Sequence, residues 1–289
     1  MRTLLIGLAL IPLAACSTAS EPAPSPSSIP GLPASAVEII DSAPYANGIW
    51  GIHVTDAESG EAPKFKLELN GKDINLEEME DLGGWPRLKT VKALWLDANE
   101  FGDEGVELLA GFPHLARLHT LSLANNKLTD RSLAAIAGSK ILKKLRVLFI
   151  QYNRFGAEGM RALAESDTVS GLETLYAKIN PLGDAGVQAL AASTRLRSLK
   201  ELYLERVRMT REGLAALCAS PILDTVEKLY LGDNGLEDDA VELIAGSGHL
   251  KNLITLDLGK NRISLDGMDI KQRLLDQPDM PRFKFLHCD

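Results

Sequence analysis

The fold class predicted by the sequence is an α/β solenoid built from units of 27 residues, and three columns of residues predict it. Leu94, Leu121, Leu148, Leu175, Leu202, Leu229 and Leu256 are spaced by 27, and Phe283 extends the series. Two positions on stand Leu96, Leu123, Ile150, Ala177, Leu204, Leu231, Leu258 and Phe285. Five after the first leucine stand Asn99, Asn126, Asn153, Asn180, Val207, Asn234, Asn261 and Cys288. A unit of this length cannot bury its apolar face alone, so stacked units must share one continuous core.

Taken in order, residues 1–15 read as an export leader. Arg2 supplies a positive end, and Leu4–Leu13 is an apolar run too short to span a bilayer. The run stops at Leu13-Ala14-Ala15-Cys16, which resembles the lipobox of bacterial lipoproteins. That resemblance implies lipidation of Cys16, and Ser17 in the next position implies the outer membrane. Two or more acyl chains suffice for a stable anchor. Residues 16–36, rich in Pro, Ser and Ala, are expected to form an extended tether, because they hold too little apolar surface to offset ordering. Residues 37–82 are expected to be an N-terminal cap. Leu67, Leu69 and Ile74 fit the repeat there, while Lys72 and Glu78 replace its asparagine and glycine. Residues 83–289 hold the regular 27-residue repeats, and Met280-x-x-Phe283-x-Phe285-x-x-Cys288 is expected to be a capping strand.

Each unit reads as a short strand followed by a helix. Alternating leucines face the core, and the asparagine satisfies backbone groups at the bend. Gly102, Thr129, Gly156, Gly183, Thr210 and Ser264 occupy a column suited to an N-cap. Asp103, Asp130, Glu158, Asp184, Glu212, Asp238 and Asp266 follow in the first turn, where the helix dipole favours negative charge.

The pattern Leu118-x-x-Leu121-x-Leu123-x-x-Asn126-x-Leu128 resembles the leucine-rich repeat family, specifically its ribonuclease-inhibitor-like class. The resemblance covers roughly residues 67–289. It implies a horseshoe with parallel strands on the concave face, helices on the convex face, and a concave binding surface.

Charge and motifs narrow the function. A net charge of −8 and scattered basic residues argue against nucleic-acid binding. No His-Glu-x-x-His, phosphate-cradling glycine loop or Cys-x-x-Cys is present, so neither enzyme, cofactor nor metal site is expected. The acidic glycine loops 102–105 and 183–186 recur with the repeat and are read as caps. Cys218 lies in a small-residue helix column and Cys288 in the asparagine column three units on. At ~4.8 Å per strand they are too far apart for a disulfide, so both are read as thiols.

The remaining signal is the outward column between the strand leucines: Glu68, Trp95, Ser122, Phe149, Tyr176, Tyr203, Tyr230, Asp257 and Lys284. Trp95, Phe149, Tyr176, Tyr203 and Tyr230 are expected to present an aromatic stripe to solvent, with Tyr152, Lys178, Glu205 and Arg206 along its edge. Two readings stay open: a binding surface for a protein partner, and a stacked ladder that only stabilises the sheet. Glycan or peptidoglycan binding is the alternative ligand class, and a purely structural envelope lipoprotein is a third reading.

Overall fold

The computed structural model describes residues 10–12, 65–85, 88–89 and 91–288. Cys16, the tether and the first part of the cap lie outside the described residues. The elements are β1 (Leu10–Pro12), β2 (Phe65–Glu68), α1 (Leu76–Gly83), β3 (Val91–Trp95), α2 (Gly102–Ala110), β4 (Thr120–Ser122), α3 (Asp130–Gly138), β5 (Val147–Phe149) and α4 (Ala157–Glu165). Then come β6 (Thr174–Tyr176), α5 (Gly183–Ala191), β7 (Glu201–Tyr203), α6 (Arg211–Cys218), β8 (Lys228–Tyr230), α7 (Asp239–Ala245), β9 (Thr255–Asp257), α8 (Gly267–Leu275) and β10 (Phe285–His287).

Strands β2 to β10 form one open sheet of parallel neighbours in chain order, as short strand–helix units require. Leu94, Leu121, Leu148, Leu175, Leu202, Leu229 and Leu256 stand in register and are fully buried. Between sheet and helices runs one apolar core from Leu67 to Phe283. At the N-terminal edge Leu10–Pro12, part of the expected leader, pairs antiparallel with β2 and occupies its open edge.

The asparagine column is a hydrogen-bonding spine. The Asn153 side-chain amide donates to the carbonyls of Ile150 and, one unit back, Leu123, at 3.0 and 2.9 Å. Its oxygen accepts from the backbone N–H groups of Asn126 and Leu128, both at 3.0 Å. One side chain therefore satisfies groups in two consecutive units, including backbone that the core would otherwise strand. Val207 interrupts the spine, and the chain adapts there: the N–H of Gly183, at φ +61°, donates to the Val207 carbonyl at 2.9 Å.

A second spine was not anticipated. Ser139, Ser166, Ser193, Ser220 and Ser247, also 27 apart, each donate a hydroxyl hydrogen bond to a carbonyl at the end of the preceding unit's helix: Ala110, Ala137, Ala164, Ala191 and Cys218. These are carbonyls that a helix C-terminus leaves without an intrahelical donor.

Two expectations are extended and a third is corrected. First, Asp103, Asp130, Glu158, Asp184 and Glu212 lie in first turns as expected, and Asp103, Asp130, Asp184 and Asp238 also accept from the N-cap column of the next unit. Asp103 accepts from the Thr129 N–H at 2.9 Å and the Ser132 hydroxyl at 2.5 Å. Asp184 accepts from the Thr210 and Gly213 N–H groups at 2.7 and 3.0 Å. Second, Glu78 closes a capping box with Asn75 at the start of α1. Third, the last unit spans 30 residues, since Leu286, not Phe283, pairs with Leu256. Phe283 instead repeats the hydrogen bond of Leu253 to the residue three before it. Cys288 therefore leaves the asparagine column, Phe285 faces outward at 56% exposure, and His287 replaces Lys284 in the outward column. Cys218 and Cys288 are both thiols.

Candidate functional site

The concave column is built by strand register. Phe149 pairs with Tyr176, Tyr176 with Tyr203, and Tyr203 with Tyr230. Adjacent strands are roughly 4.8 Å apart, close to the stacking distance of aromatic rings. The rings accordingly lie on one another, with centroids 4.4, 3.7 and 4.2 Å apart and interplanar angles of 30°, 12° and 9°. Ser122 leaves no gap: Trp95 leans across it to Phe149, 5.3 Å between centroids.

The expected exposed stripe is corrected by this packing. Phe149 is fully buried, and Trp95 and Tyr203 are 8% and 9% exposed; only Tyr176 and Tyr230 are half-buried. Ala93, Trp95 and Phe149, with Val147 and Tyr176 against them, form a small second core on the concave side. Polar groups close it off. Lys66 sits 4.3 Å above the Trp95 ring, Ser122 donates to Asp97 at 2.5 Å, and the Tyr203 hydroxyl donates to Glu201 at 3.2 Å. Burial pushes the Asp97 carboxyl up to about 6, against the lowering effect of its bonds from Ser122 and the Ala124 N–H. Burial likewise raises the Tyr176 phenol to about 12.

The other expected residues lie apart from the stack. Tyr152, Lys178, Glu205 and Arg206 line a groove of about 560 Å³ at the C-terminal ends of the strands. Its remaining walls are Ile179, Gly232, Asp233, Asp257, Gly259, Lys260 and His287. The loop column Ala98, Asn125, Tyr152, Ile179, Arg206, Asp233 and Lys260 is left-handed throughout, with φ between 53° and 59°. Asparagine and aspartate tolerate that region, whereas a β-branched isoleucine is strained there. Tyr152 is 51% exposed on this strained backbone.

Glu205 is the least satisfied group in the groove. Its Oε2 is buried without a hydrogen-bond partner, and burial raises its carboxyl to about 7 despite the neighbouring Lys178. Gly232 follows it in the column. A Cβ there would stand 3.0 Å from the Gly259 carbonyl oxygen, 3.5 Å from an Asp257 carboxylate oxygen and 3.7 Å from the Glu205 Cγ, so the two acids and that carbonyl close around the glycine. Arg206 is drawn to Asp233 at 3.7 Å. Among the described residues no cluster of His, Cys, Asp and Glu could hold a metal ion.

A family profile described as Leucine Rich repeat matches residues 114–137, 142–164 and 249–269. Together with the strand–helix register, this decides the fold. The chain is a leucine-rich repeat solenoid. Among solved structures, the solenoid is similar to internalin C2 from Listeria monocytogenes, with a TM-score of 0.51 and 21% identity over 76% of this chain and 80% of that one. It also matches a chain of the Rad7–Elc1 complex in yeast, with a TM-score of 0.41 and 16% identity over 73% and 66% of the two chains. No curated protein matches it.

Sequence reasoning found the column but misjudged which part is accessible. Asp257 stands in the outward column already given and Lys260 in the edge column of Tyr152 and Arg206, but the sequence alone does not single out either as part of a site. Gly232 and Gly259 stand in the neighbouring column, where the absence of side chains is the missed signal. His287 was hidden by the register shift of the last unit.

Proposed function

We propose that this solenoid is a lipid-anchored protein of the bacterial cell envelope that binds a protein partner through its concave face. The carrying observation is the strained edge column: tyrosine, isoleucine, arginine and lysine occupy left-handed positions at Tyr152, Ile179, Arg206 and Lys260. Each costs roughly 1–2 kcal/mol relative to glycine in that conformation. Backbone strain of this kind clusters at functional sites, and four of these side chains line one groove. A shallow face of nine parallel strands suits a protein epitope better than a small molecule. The lipobox-like Cys16 supports the anchor, and Ser17 supports the outer membrane.

The aromatic stack does not carry this reading, because from Trp95 to Tyr203 its ring faces are turned on one another.

The test is photo-crosslinking in the native envelope, with the reactive side chain placed at Ile179 on the concave edge or at Arg161 on the convex side. A discrete protein adduct from position 179 and none from 161 is expected. Equal labelling from both positions, or no adduct from either, sinks the proposal.

A further inference from the structure

We propose that the groove between Glu205 and Asp257 receives a single lysine or arginine side chain of the partner. The inference deepens the protein-binding reading above and rests on it. Four observations carry it.

The first is the buried Oε2 of Glu205, which lacks any hydrogen-bond partner. A buried acceptor left unmade is unfavourable, and turning the carboxylate toward a donor supplied by a ligand removes that penalty. The second is the convergence of acceptor groups on Gly232: a Cβ there would stand 3.0 Å from the Gly259 carbonyl oxygen, 3.5 Å from an Asp257 carboxylate oxygen and 3.7 Å from the Glu205 Cγ. The third is orientation. One oxygen of Asp257 already accepts from the Gly259 N–H at 2.8 Å, which fixes the carboxylate while leaving acceptor capacity for an incoming cation.

The fourth is the end of the aromatic stack. Tyr230 is covered on one side by Tyr203, but its register partner on the other side is Asp257 rather than another ring. A cation held by Asp257 therefore sits beside the outer face of a tyrosine, where the ring quadrupole attracts it. Among the described residues the groove's own cations do not fill the place: Arg206 is engaged by Asp233, and neither Lys178 nor Lys260 makes an ion pair with Glu205 or Asp257 within 4 Å. Ammonium and guanidinium both satisfy this arrangement, and the guanidinium adds a fork able to bridge two carboxylates.

The experiment titrates the isotope-labelled full chain with acetyl-Gly-Arg-Gly-amide and acetyl-Gly-Lys-Gly-amide into the millimolar range, following backbone amide resonances. The citrulline analogue and a chitooligosaccharide run as separate arms. The expected result is saturable shifts at Gly232 and Gly259 with the two cationic peptides only, and binding weakened about tenfold or more by Glu205→Gln. Asp257→Asn keeps the acceptor for Gly259 and is expected to weaken binding in the same direction. Equal binding of citrulline, unchanged binding by both variants, or shifts at these glycines with the oligosaccharide alone overturns the proposal. If crosslinking at position 179 captures a protein while the peptides are silent, the cation site fails and the protein-binding reading stands. If the peptides bind but no protein is captured, the reverse holds.

Discussion

The concave face has two halves that the sequence renders alike and the structure makes different. From β3 to β8 its column is a dry stack from Trp95 to Tyr230, each ring against the next. Beyond Tyr230 the column turns to Asp257 and His287, glycines occupy its neighbour, and a buried carboxylate oxygen lacks a partner. Aromatic residues on adjacent parallel strands satisfy each other, so a run of them builds core. The accessible chemistry begins where the run stops.

Substitutions can pull the two halves apart. Phe149→Ala empties a fully buried site and should cost the most, about 3–5 kcal/mol by denaturant unfolding. Cation binding in the groove should survive in the molecules that remain folded. Asn153→Ala strands backbone donors and carbonyls in two units and should cost about 2–4 kcal/mol. Recovery of full stability in that variant would mean the spine is dispensable, as the Val207 unit manages without it.

Asp103→Ala should cost about 1–2 kcal/mol, and its signature is local. Hydrogen exchange should quicken at the start of α3, where it holds the Thr129 amide and the Thr129 and Ser132 hydroxyls, rather than in its own helix α2.

Glu205→Gln should act oppositely on stability. Burial holds the folded carboxyl at about 7, above its ordinary 4.5, with its own backbone N–H and Lys178 opposing and Asp257 reinforcing the shift. Between those values the folded state holds a proton that the unfolded state has lost, so stability falls as pH rises through that window. The glutamine variant should therefore match the parent at pH 4 and exceed it by about 1–3 kcal/mol at pH 8. Cation binding by the parent should strengthen over the same rise, because ionised Glu205 is the acceptor. A stability gain at pH 4 would show that the effect is not the carboxyl's charge. The smallest effect is expected for Ile179→Asn, a stabilisation of about 0.5–1 kcal/mol from relieving left-handed strain, with weaker partner capture.

Much of this architecture is legible in the sequence because stacking forces identical environments to recur at a fixed interval. Leu121, Leu123 and Asn126 announce the strand, the core and the bend, and Ser139 to Ser247 would have announced the second spine to the same inspection. The interval misled only at the end, where extending it from Leu256 landed on Phe283. The fuller pattern Leu250-x-x-Leu253-x-x-Leu256-x-Leu258 fits Met280-x-x-Phe283-x-x-Leu286-x-Cys288 and would have placed the strand correctly. Accessibility was not legible in the same way. Whether Tyr203 faces water depends on Tyr176 and Tyr230, and whether Glu205 is satisfied depends on which donors the folded chain brings to it.

The central claim is that recognition resides in the groove and not in the stack. The direct measurement is crosslinking yield from position 179 in two backgrounds, Glu205→Gln with Asp257→Asn, and the conservative core variant Phe149→Leu. Loss of the adduct in the first and its retention in the second is the predicted outcome. Retention in the first with loss in a folded Phe149→Leu chain would contradict the account.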